Sequence, residues 1–248
     1  MPRKFTRLFV ESDLLQGQRL HLNLKESHYV KHVLRLMAGD SLLVFNGRHG
    51  EWRAEVTEIT KKQTHLDVKE LVRPQKDDFP VFLFFASLKM GPLGFLVEKA
   101  TELGATHLQP LWTDRTQGRD FKHERYLSIA REAAEQSERM SVPTLHMPLT
   151  LDVVLSEWKP ERRLMVCDER GGAESLLNVL QKSVRPMTSC SVMVGPEGGF
   201  SPQEFNVMAQ FPWLTFVSLG SNILRAETAA IVALSLFCAI PKGFQHVG

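Results

Sequence analysis

The 248-residue sequence predicts an α/β fold with two domains, and three observations support this prediction. In residues 81–248, apolar runs of strand length alternate with segments of helix length, which is typical of a parallel sheet covered by helices. Residues 1–73 instead show polar–apolar alternation around an asparagine-glycine turn, which is typical of a small β module. RPQKDDFP, with two prolines and four charged residues, lies between them, and we assign residues 74–80 as the linker.

The first module contains strands and one helix. Residues 18–24 alternate polar and apolar side chains, as a half-buried strand does. Residues 26–36 predict a helix with five apolar side chains on one face: Tyr29, Val30, Val33, Leu34 and Leu36. Residues 41–59 predict a hairpin around Asn46 and Gly47, and a further strand is predicted over 63–72.

The second domain alternates strands with helices. Strands are predicted over 81–88, 106–112, 162–169, 190–194 and 213–220. Helices are predicted over 92–105, 123–140, 174–183 and 223–240. The last helix is apolar on almost every side, so we expect it to be buried in the core or against a second subunit.

Composition restricts the class of protein. Residues 1–74 hold 13 Lys and Arg against 9 Asp and Glu, although the whole chain carries only +2. This excess indicates an anionic partner for the first module, or else a solvated face. Cys167, Cys190 and Cys238 are far apart, which favours free thiols in a reducing compartment over disulfides or a metal site. The N-terminal apolar stretch is too short for a signal peptide and no segment reaches membrane-spanning length, so we expect a cytoplasmic protein without a metal.

A glycine-rich loop follows the apolar run over 190–194. Residues 194–205 read VGPEGGFSPQEF, in which Ser201 and Glu204 have capping-box spacing and Pro202 stands at the first helical position. In open α/β sheets, ligands bind outside the carboxyl ends of strands, where such a loop lies. The loop is therefore a ligand site that needs close backbone approach, or a connection whose glycines supply positive φ angles.

A second glycine turn repeats this pattern. Residues 218–229 read SLGSNILRAETA, which predicts a strand end, a turn and a helix start that carries Arg225 and Glu227. Two neighbouring strand ends would form one crevice lined by backbone, or else two ordinary connections beside a surface Arg-Glu pair.

Together these stretches resemble the bacterial small-subunit ribosomal RNA uridine-N3 methyltransferases, which belong to the SPOUT class of knotted methyltransferases. KATELGATHLQPLWTDRT and EAAEQSERMSVP are similar to other signatures of that family, and TRLFV and HYVKHVLRLMAGDSLLVFNG resemble its RNA-binding region. LKMGPLGFLVEK departs from the family, which carries charged residues after the lysine that is Lys89 here. The resemblance covers nearly the whole chain.

The resemblance implies a C-terminal parallel-sheet domain with a trefoil knot, a preceding PUA-like β-barrel, and a homodimer. It also implies S-adenosylmethionine as cofactor, bound by the knot loops, so that side chains at Gly195, Gly198, Gly199 or Gly220 would fill its space. The expected cofactor residues are Val194, Gly195, Pro196, Gly198, Gly199, Leu219, Gly220, Asn222, Ile223 and Leu224.

Uridine N3 carries a proton, so the implied reaction needs a group that stabilises the uridine anion. A fixed guanidinium beside the base oxygens does this, and Arg225 at the helix start is the first candidate. The resemblance adds Arg115 and Arg139. Glu197 and Glu227 either accept a proton or orient an arginine.

The expected activity is methylation of N3 of one uridine in 16S ribosomal RNA, with free RNA or the small subunit as partner. Alternatives are a SPOUT enzyme that methylates a ribose 2′-hydroxyl or another RNA, and a non-catalytic assembly factor that binds ribosomal RNA. Seven basic residues of the first module are candidate phosphate contacts. They are Arg3, Lys4, Arg7, Lys31, Arg35, Arg48 and Arg53.

Overall fold

The computed structural model describes residues 6–60, 63–86, 90–116, 120–182 and 188–239. The chain divides into two units. Unit 1 comprises Met1–Asp78 and Ala134–Val142, and unit 2 comprises Phe79–Ala133 and Pro143–Gly248. Unit 1 is therefore built from two separate stretches of sequence, and the pattern of the sequence does not assign the second stretch to it.

Unit 1 is organised around a five-stranded sheet. Its strands are β1 (Arg7–Phe9), β2 (Arg19–His21), β3 (Ser41–Phe45), β4 (Glu51–Ile59) and β5 (Thr64–Arg73). Their order in the sheet is β1-β3-β4-β5-β2. β1 pairs with β3 in parallel, and the remaining pairs are antiparallel. The predicted hairpin is present, and its alternation places Leu42, Val44, Ala54 and Val56 in a core of aliphatic side chains.

The predicted helix of unit 1 is divided into two parts. Helix α1 (Leu24–His28) begins with a capping box between Asn23 and Glu26, and a π-helical turn (Tyr29–Val33) follows it. In this turn the amide of Leu34 donates to the carbonyl of Tyr29, five residues earlier. The wider turn rotates the later residues relative to an α-helix. Val30 is fully buried as predicted, but Val33 is exposed, so the predicted apolar face is wrong at that residue.

A buried ion pair in unit 1 joins β1 to β4. Arg7 and Glu51 are 7% and 2% exposed, and the Arg7 Nε donates to Glu51 Oε1 at 2.5 Å. The remaining guanidinium nitrogens of Arg7 donate to carbonyls of the second stretch, those of Ala134, Glu135 and Arg139. Burial would raise the pKa of Glu51, but hydrogen bonds from Arg73 and Arg7 outweigh it and the pKa lies below 4.5. The interpretation of Arg7 as a phosphate contact is corrected: its donors are used inside the unit.

Unit 2 contains an eight-stranded sheet. The strands are β6 (Val81–Ala86), β7 (His107–Trp112), β8 (Thr144–Leu145), β9 (Leu149–Thr150), β10 (Leu164–Cys167), β11 (Glu174–Ser175), β12 (Cys190–Val194) and β13 (Leu214–Ser218). Their order in the sheet is β11-β13-β10-β12-β6-β7-β8, and β9 also pairs with β7. These strands pair in parallel, so the predicted α/β class is confirmed.

Six further helices accompany this sheet in the described residues. They are α2 (Met90–Glu102), α3 (His123–Gln136), α4 (Leu151–Ser156), α5 (Leu176–Gln181), α6 (Pro202–Met208) and α7 (Ala226–Ala239). The predicted capping box of α6 is present between Ser201 and Glu204. Helix α7 packs against α2, α5 and β12. No helix in the described ranges is long and apolar enough to cross a membrane.

The strand order determines which loops meet. β10 lies between β12 and β13, so the two strands that carry the glycine turns are not direct neighbours. All three strands run in parallel, so their carboxyl ends lie at the same edge of the sheet. The loop after β10 therefore lies between the two loops that the sequence pattern singles out.

Candidate active site

A cavity of about 390 Å³ lies at the carboxyl ends of β10, β12 and β13. All ten predicted cofactor residues line it, as does Glu197. The lining residues that were not among the expected site residues are Cys167, Asp168, Glu169, Gly171, Ser218, Ser221, Ala226 and Ala229. The two glycine turns thus form one crevice, but a third loop completes it.

The first glycine loop, residues 195–200, is a tight turn. The amide of Gly199 donates to the carbonyl of Pro196 at 2.8 Å, and Gly199 has a φ of +67°. A side chain at Gly199 would collide with the Glu169 carboxylate, and one at Gly195 would come within 3.0 Å of the Phe200 ring. The family resemblance implies that such side chains would fill the cofactor space. At these two positions they would first meet the protein itself.

The second glycine loop, residues 219–224, leaves more open space. Gly220 has a φ of +133°, and a side chain there would meet no atom within 4 Å. The amide of Gly220 donates to the Ser218 hydroxyl at 3.2 Å, which fixes the start of the loop. Ile223 is 83% exposed although it lines the cavity. The second loop therefore supplies an open backbone at Gly220 and an uncovered apolar side chain.

The third loop, residues 168–171, adds carboxylates to the cavity wall. Arg170 forms a two-pronged ion pair with Asp168, with N–O distances of 2.9 and 2.7 Å, and these hydrogen bonds lower the pKa of Asp168. The Arg170 guanidinium also lies 3.4 Å from the centre of the Phe205 ring. Burial raises the pKa of Cys167 to about 12, so this lining thiol stays protonated. The sequence signal for the loop was Gly171-Gly172 directly after a predicted strand.

The five candidate catalytic residues are placed differently. Arg115 contacts the first glycine loop, because its Nη1 donates to the carbonyl of Gly198 at 2.5 Å. Arg225 is exposed between the lining residues Leu224 and Ala226, and Glu227 lies in the first turn of α7. Arg139 belongs to unit 1, where its guanidinium approaches Asp78 at 3.4 Å. Arg115 therefore contacts a loop of the cavity wall, Glu197 lines the cavity, and Arg225 lies at its edge.

The candidate phosphate contacts also differ in their surroundings. Arg3 and Lys4 lie outside the described residues. Lys31 and Arg35 are exposed on the segment that follows α1. Arg48 pairs with Asp13 at 3.0 Å, and Arg53 pairs with Glu70 at 3.3 Å. In the described ranges no three His, Cys, Asp or Glu side chains come together in a way that would hold a metal ion.

Comparison with known proteins places both units in described families. Residues 75–238 match the model of an RNA methyltransferase domain, and residues 22–69 match that of an RNA methyltransferase PUA domain. The fold and cavity are thus those of an RNA methyltransferase.

Particular relatives narrow this class. The ribosomal RNA small subunit methyltransferase E of Rickettsia conorii is 34% identical over 94% of both chains. The protein of the same name from Synechocystis is 35% identical over 94% of this chain and 77% of its own. The chain belongs to this family of RNA methyltransferases, as its motifs predicted.

Solved structures agree with this membership. A methyltransferase from Legionella pneumophila, solved with bound SAM, has a TM-score of 0.85 and 29% identity, covering 95% of this chain and 98% of its own. The ribosomal RNA small subunit methyltransferase E from Neisseria gonorrhoeae, bound to S-adenosyl methionine, has a TM-score of 0.83 and 25% identity, covering 93% and 95%.

Proposed function

We propose that the protein transfers a methyl group from S-adenosylmethionine to N3 of a specific uridine in 16S ribosomal RNA. The observation that carries the proposal is the cavity at the ends of β10, β12 and β13, which is lined mainly by residues of three loops. Two similar structures, from Legionella and Neisseria, hold this cofactor, and the named relatives are small-subunit ribosomal RNA methyltransferases.

The cavity fits S-adenosylmethionine in size and chemistry. Its volume of about 390 Å³ lies in the range of small-molecule sites, roughly 300–1,000 Å³. The open backbone at Gly220 allows close approach of a flat group, and the Ile223 side chain offers it an apolar surface. Glu169 and Glu197 are exposed carboxylates in the wall and suit the cationic groups of this cofactor. The loops of residues 168–171, 195–200 and 219–224, together with the strand-end residues Cys167 and Val194, would hold it.

The chain's own contribution to the chemistry is to position the base and to stabilise its charge. The bound cofactor supplies an activated methyl group, so alignment with the base accounts for much of the rate. A guanidinium beside the base oxygens stabilises the uridine as N3 loses its proton. Arg225 and Arg115 are the candidates nearest the cavity. Glu197 or Glu227 accepts the proton or orients an arginine.

The segment after α1 is the best-supported RNA contact of unit 1. Lys31 and Arg35 are exposed there, and the exposed apolar side chains of Val33 and Met37 lie beside them in sequence. Arg35 has a φ of +54°, a left-handed backbone conformation that is unusual for a residue with a side chain and that clusters at functional sites. Cationic side chains attract phosphates, and exposed apolar groups suit unstacked bases.

The surface of helix α7 supports a homodimer. α7 is almost wholly apolar and packs on α2, whose Phe95 is 46% exposed, so a second copy has an apolar surface to cover. Sedimentation at micromolar concentration tests the dimer, and an active monomer would contradict it.

The strand order supports the proposed trefoil knot. The chain passes from β12 across β10 to β13, a crossover that a knotted connection requires.

The free thiols and the ribosomal substrate support a cytoplasmic location.

Product analysis tests the function. Purified protein is incubated with isotopically labelled S-adenosylmethionine and small ribosomal subunits from cells that lack the enzyme, and the RNA is digested to nucleosides. We expect labelled N3-methyluridine at one position, and none when the protein is omitted. A labelled 2′-O-methyl nucleoside would support the ribose alternative. Calorimetric cofactor binding without methyl transfer to free RNA or subunits would support the assembly factor.

A further inference from the structure

The first turn of α6 contacts the loop that carries Arg115. Glu204, the third residue of α6, is only 8% exposed, and both of its carboxylate oxygens accept hydrogen bonds. Oε2 accepts from the amide of Ser201 at 2.7 Å, which is the usual capping-box bond. Oε1 accepts from the amide of Asp114 at 2.9 Å, which lies 90 residues earlier in the chain.

A second contact joins the same two segments. The Ser201 hydroxyl donates to Asp114 Oδ2 at 2.6 Å and accepts from the amide of Glu204 at 3.1 Å. The loop of residues 113–116 is closed on itself, because the amide of Thr113 donates to the Thr116 hydroxyl at 2.9 Å. The backbone before Arg115 is therefore fixed both within its loop and to the start of α6.

Arg115 extends from this fixed loop to the cavity. Its Nη1 donates to the carbonyl of Gly198, and a Cβ placed at Gly198 would lie 3.5 Å from the Arg115 Cδ. The arginine stem thus lies directly against the backbone of the first glycine loop. Glu204, Asp114, Arg115 and Gly198 form a continuous series of contacts from a buried carboxylate to the cavity wall.

The capping box of α6 does more than cap its helix. In a capping box the glutamate needs one oxygen, for the amide of the N-cap residue. We propose that Glu204 is a positioning residue for Arg115 in methyl transfer, because its second oxygen holds the loop 113–116 against the first glycine loop. This rests on the proposed function, which gives Arg115 its role at the uridine.

Glu204→Gln removes one of the two hydrogen bonds that the Glu204 carboxylate accepts. Glutamine retains one oxygen, and its amide nitrogen would point a donor at a backbone N–H, which is also a donor. Glu204→Gln is therefore expected to release Asp114 or Ser201 while the side chain keeps its size. Amide hydrogen exchange reports this release without any need for activity. We expect faster exchange at the amide of Asp114 or Ser201 in the variant. Unchanged exchange at both amides would mean that Glu204 does not hold these two segments together, and it would overturn the proposal.

A double-mutant cycle tests whether Glu204 acts through Arg115. We expect Arg115→Ala and Glu204→Gln each to slow single-turnover methyl transfer at least about tenfold at saturating cofactor and RNA. The double variant is expected to be no slower than Arg115→Ala alone, since residues in one network are not additive. Multiplied effects, about a hundredfold or more, would mean that Glu204 acts independently and would overturn the proposal.

Ser175→Ala is the matched control. Ser175 caps α5 in the same unit by accepting from the amide of Asn178, so the variant loses a cap away from Arg115. It is expected to keep the wild-type single-turnover rate, whereas a loss equal to that of Glu204→Gln would attribute the effect to instability and overturn the proposal. If wild-type protein binds cofactor yet methylates no RNA, the proposed function is rejected. The exchange data would still decide whether Glu204 holds the loop 113–116 to the start of α6.

Discussion

The variant Gly220→Val tests whether the second glycine loop lines the cofactor site. Gly220 has a φ of +133°, where a side chain is strained by about 1–3 kcal/mol. A Cβ there meets no protein atom within 4 Å, so the added Cβ itself causes no clash within the fold. Because Gly220 lines the cavity, the added carbons compete with the ligand for its space. We expect S-adenosylmethionine affinity to fall at least about tenfold, or 1.4 kcal/mol.

Calorimetry on the folded variant measures this loss, and Gly104→Val controls for strain. Gly104 follows α2, has a φ of +85°, and likewise has no atom within 4 Å of an added Cβ, but it does not line the cavity. Both variants are expected to lose stability, and only Gly220→Val is expected to lose affinity. Wild-type affinity in Gly220→Val would remove the loop from the site. Equal loss in Gly104→Val would assign the effect to destabilisation.

Three further predictions concern charged residues. Arg225→Lys is expected to bind cofactor normally but to transfer methyl groups at least about tenfold more slowly, because lysine lacks the planar guanidinium; a wild-type single-turnover rate would contradict this. Replacing Lys31 and Arg35 with alanine is expected to reduce the slope of log affinity against log salt by about 1.4–1.8 in filter binding. The control variant Arg19→Ala removes an arginine that already forms an ion pair, so it should change this slope less. An equal change in slope would refute the assignment of Lys31 and Arg35 as phosphate contacts. Glu51→Gln is expected to lower the unfolding free energy by about 3–5 kcal/mol at pH 7, since the buried Arg7 loses the charge of its carboxylate partner and keeps only neutral acceptors.

The contribution of Glu51 to the free energy of unfolding depends on pH. The folded-state pKa of Glu51 is depressed from 4.5, so its contribution to stability is present above that pH and is lost as pH falls through the lower folded value. Thermal melts between about pH 3 and pH 7 should show the wild-type advantage shrinking only in the acid range. An advantage independent of pH would mean that the carboxylate charge does not stabilise the fold.

The strand-loop-helix units could be predicted because their requirements are local. A buried parallel strand needs a run of apolar residues, and the positive φ angles of Gly199 and Gly220 call for glycine at those residues. The capping box of α6 is likewise written in four consecutive residues. The ten expected cofactor residues were named from family motifs, and all ten line one cavity.

The third loop and the buried arginine depend on contacts distant in sequence. The loop of residues 168–171 reaches the cavity because β10 lies between β12 and β13, and strand order is not a local property. Arg7 belongs to a basic segment that resembles a solvated face. Its burial depends on Glu51, 44 residues later, and on carbonyls more than 120 residues later. The outward Val33 follows from a π-helical turn that a 3.6-residue period does not describe.

The contacts of Arg7 with residues 134–139 also bear on biosynthesis. Unit 1 is not complete when its first 78 residues have been made, because the carbonyls that accept from the Arg7 guanidinium arrive only with the second stretch. At a synthesis rate of about 5–20 residues per second, the 64 residues between Asp78 and Val142 take roughly 3–13 s. During that interval Arg7 of the nascent unit has Glu51 as a partner but lacks its carbonyl acceptors. If the first stretch of unit 1 were expressed alone, Arg7 would lack these carbonyl acceptors permanently. The N-terminal module should therefore be expressed with residues 134–142 supplied.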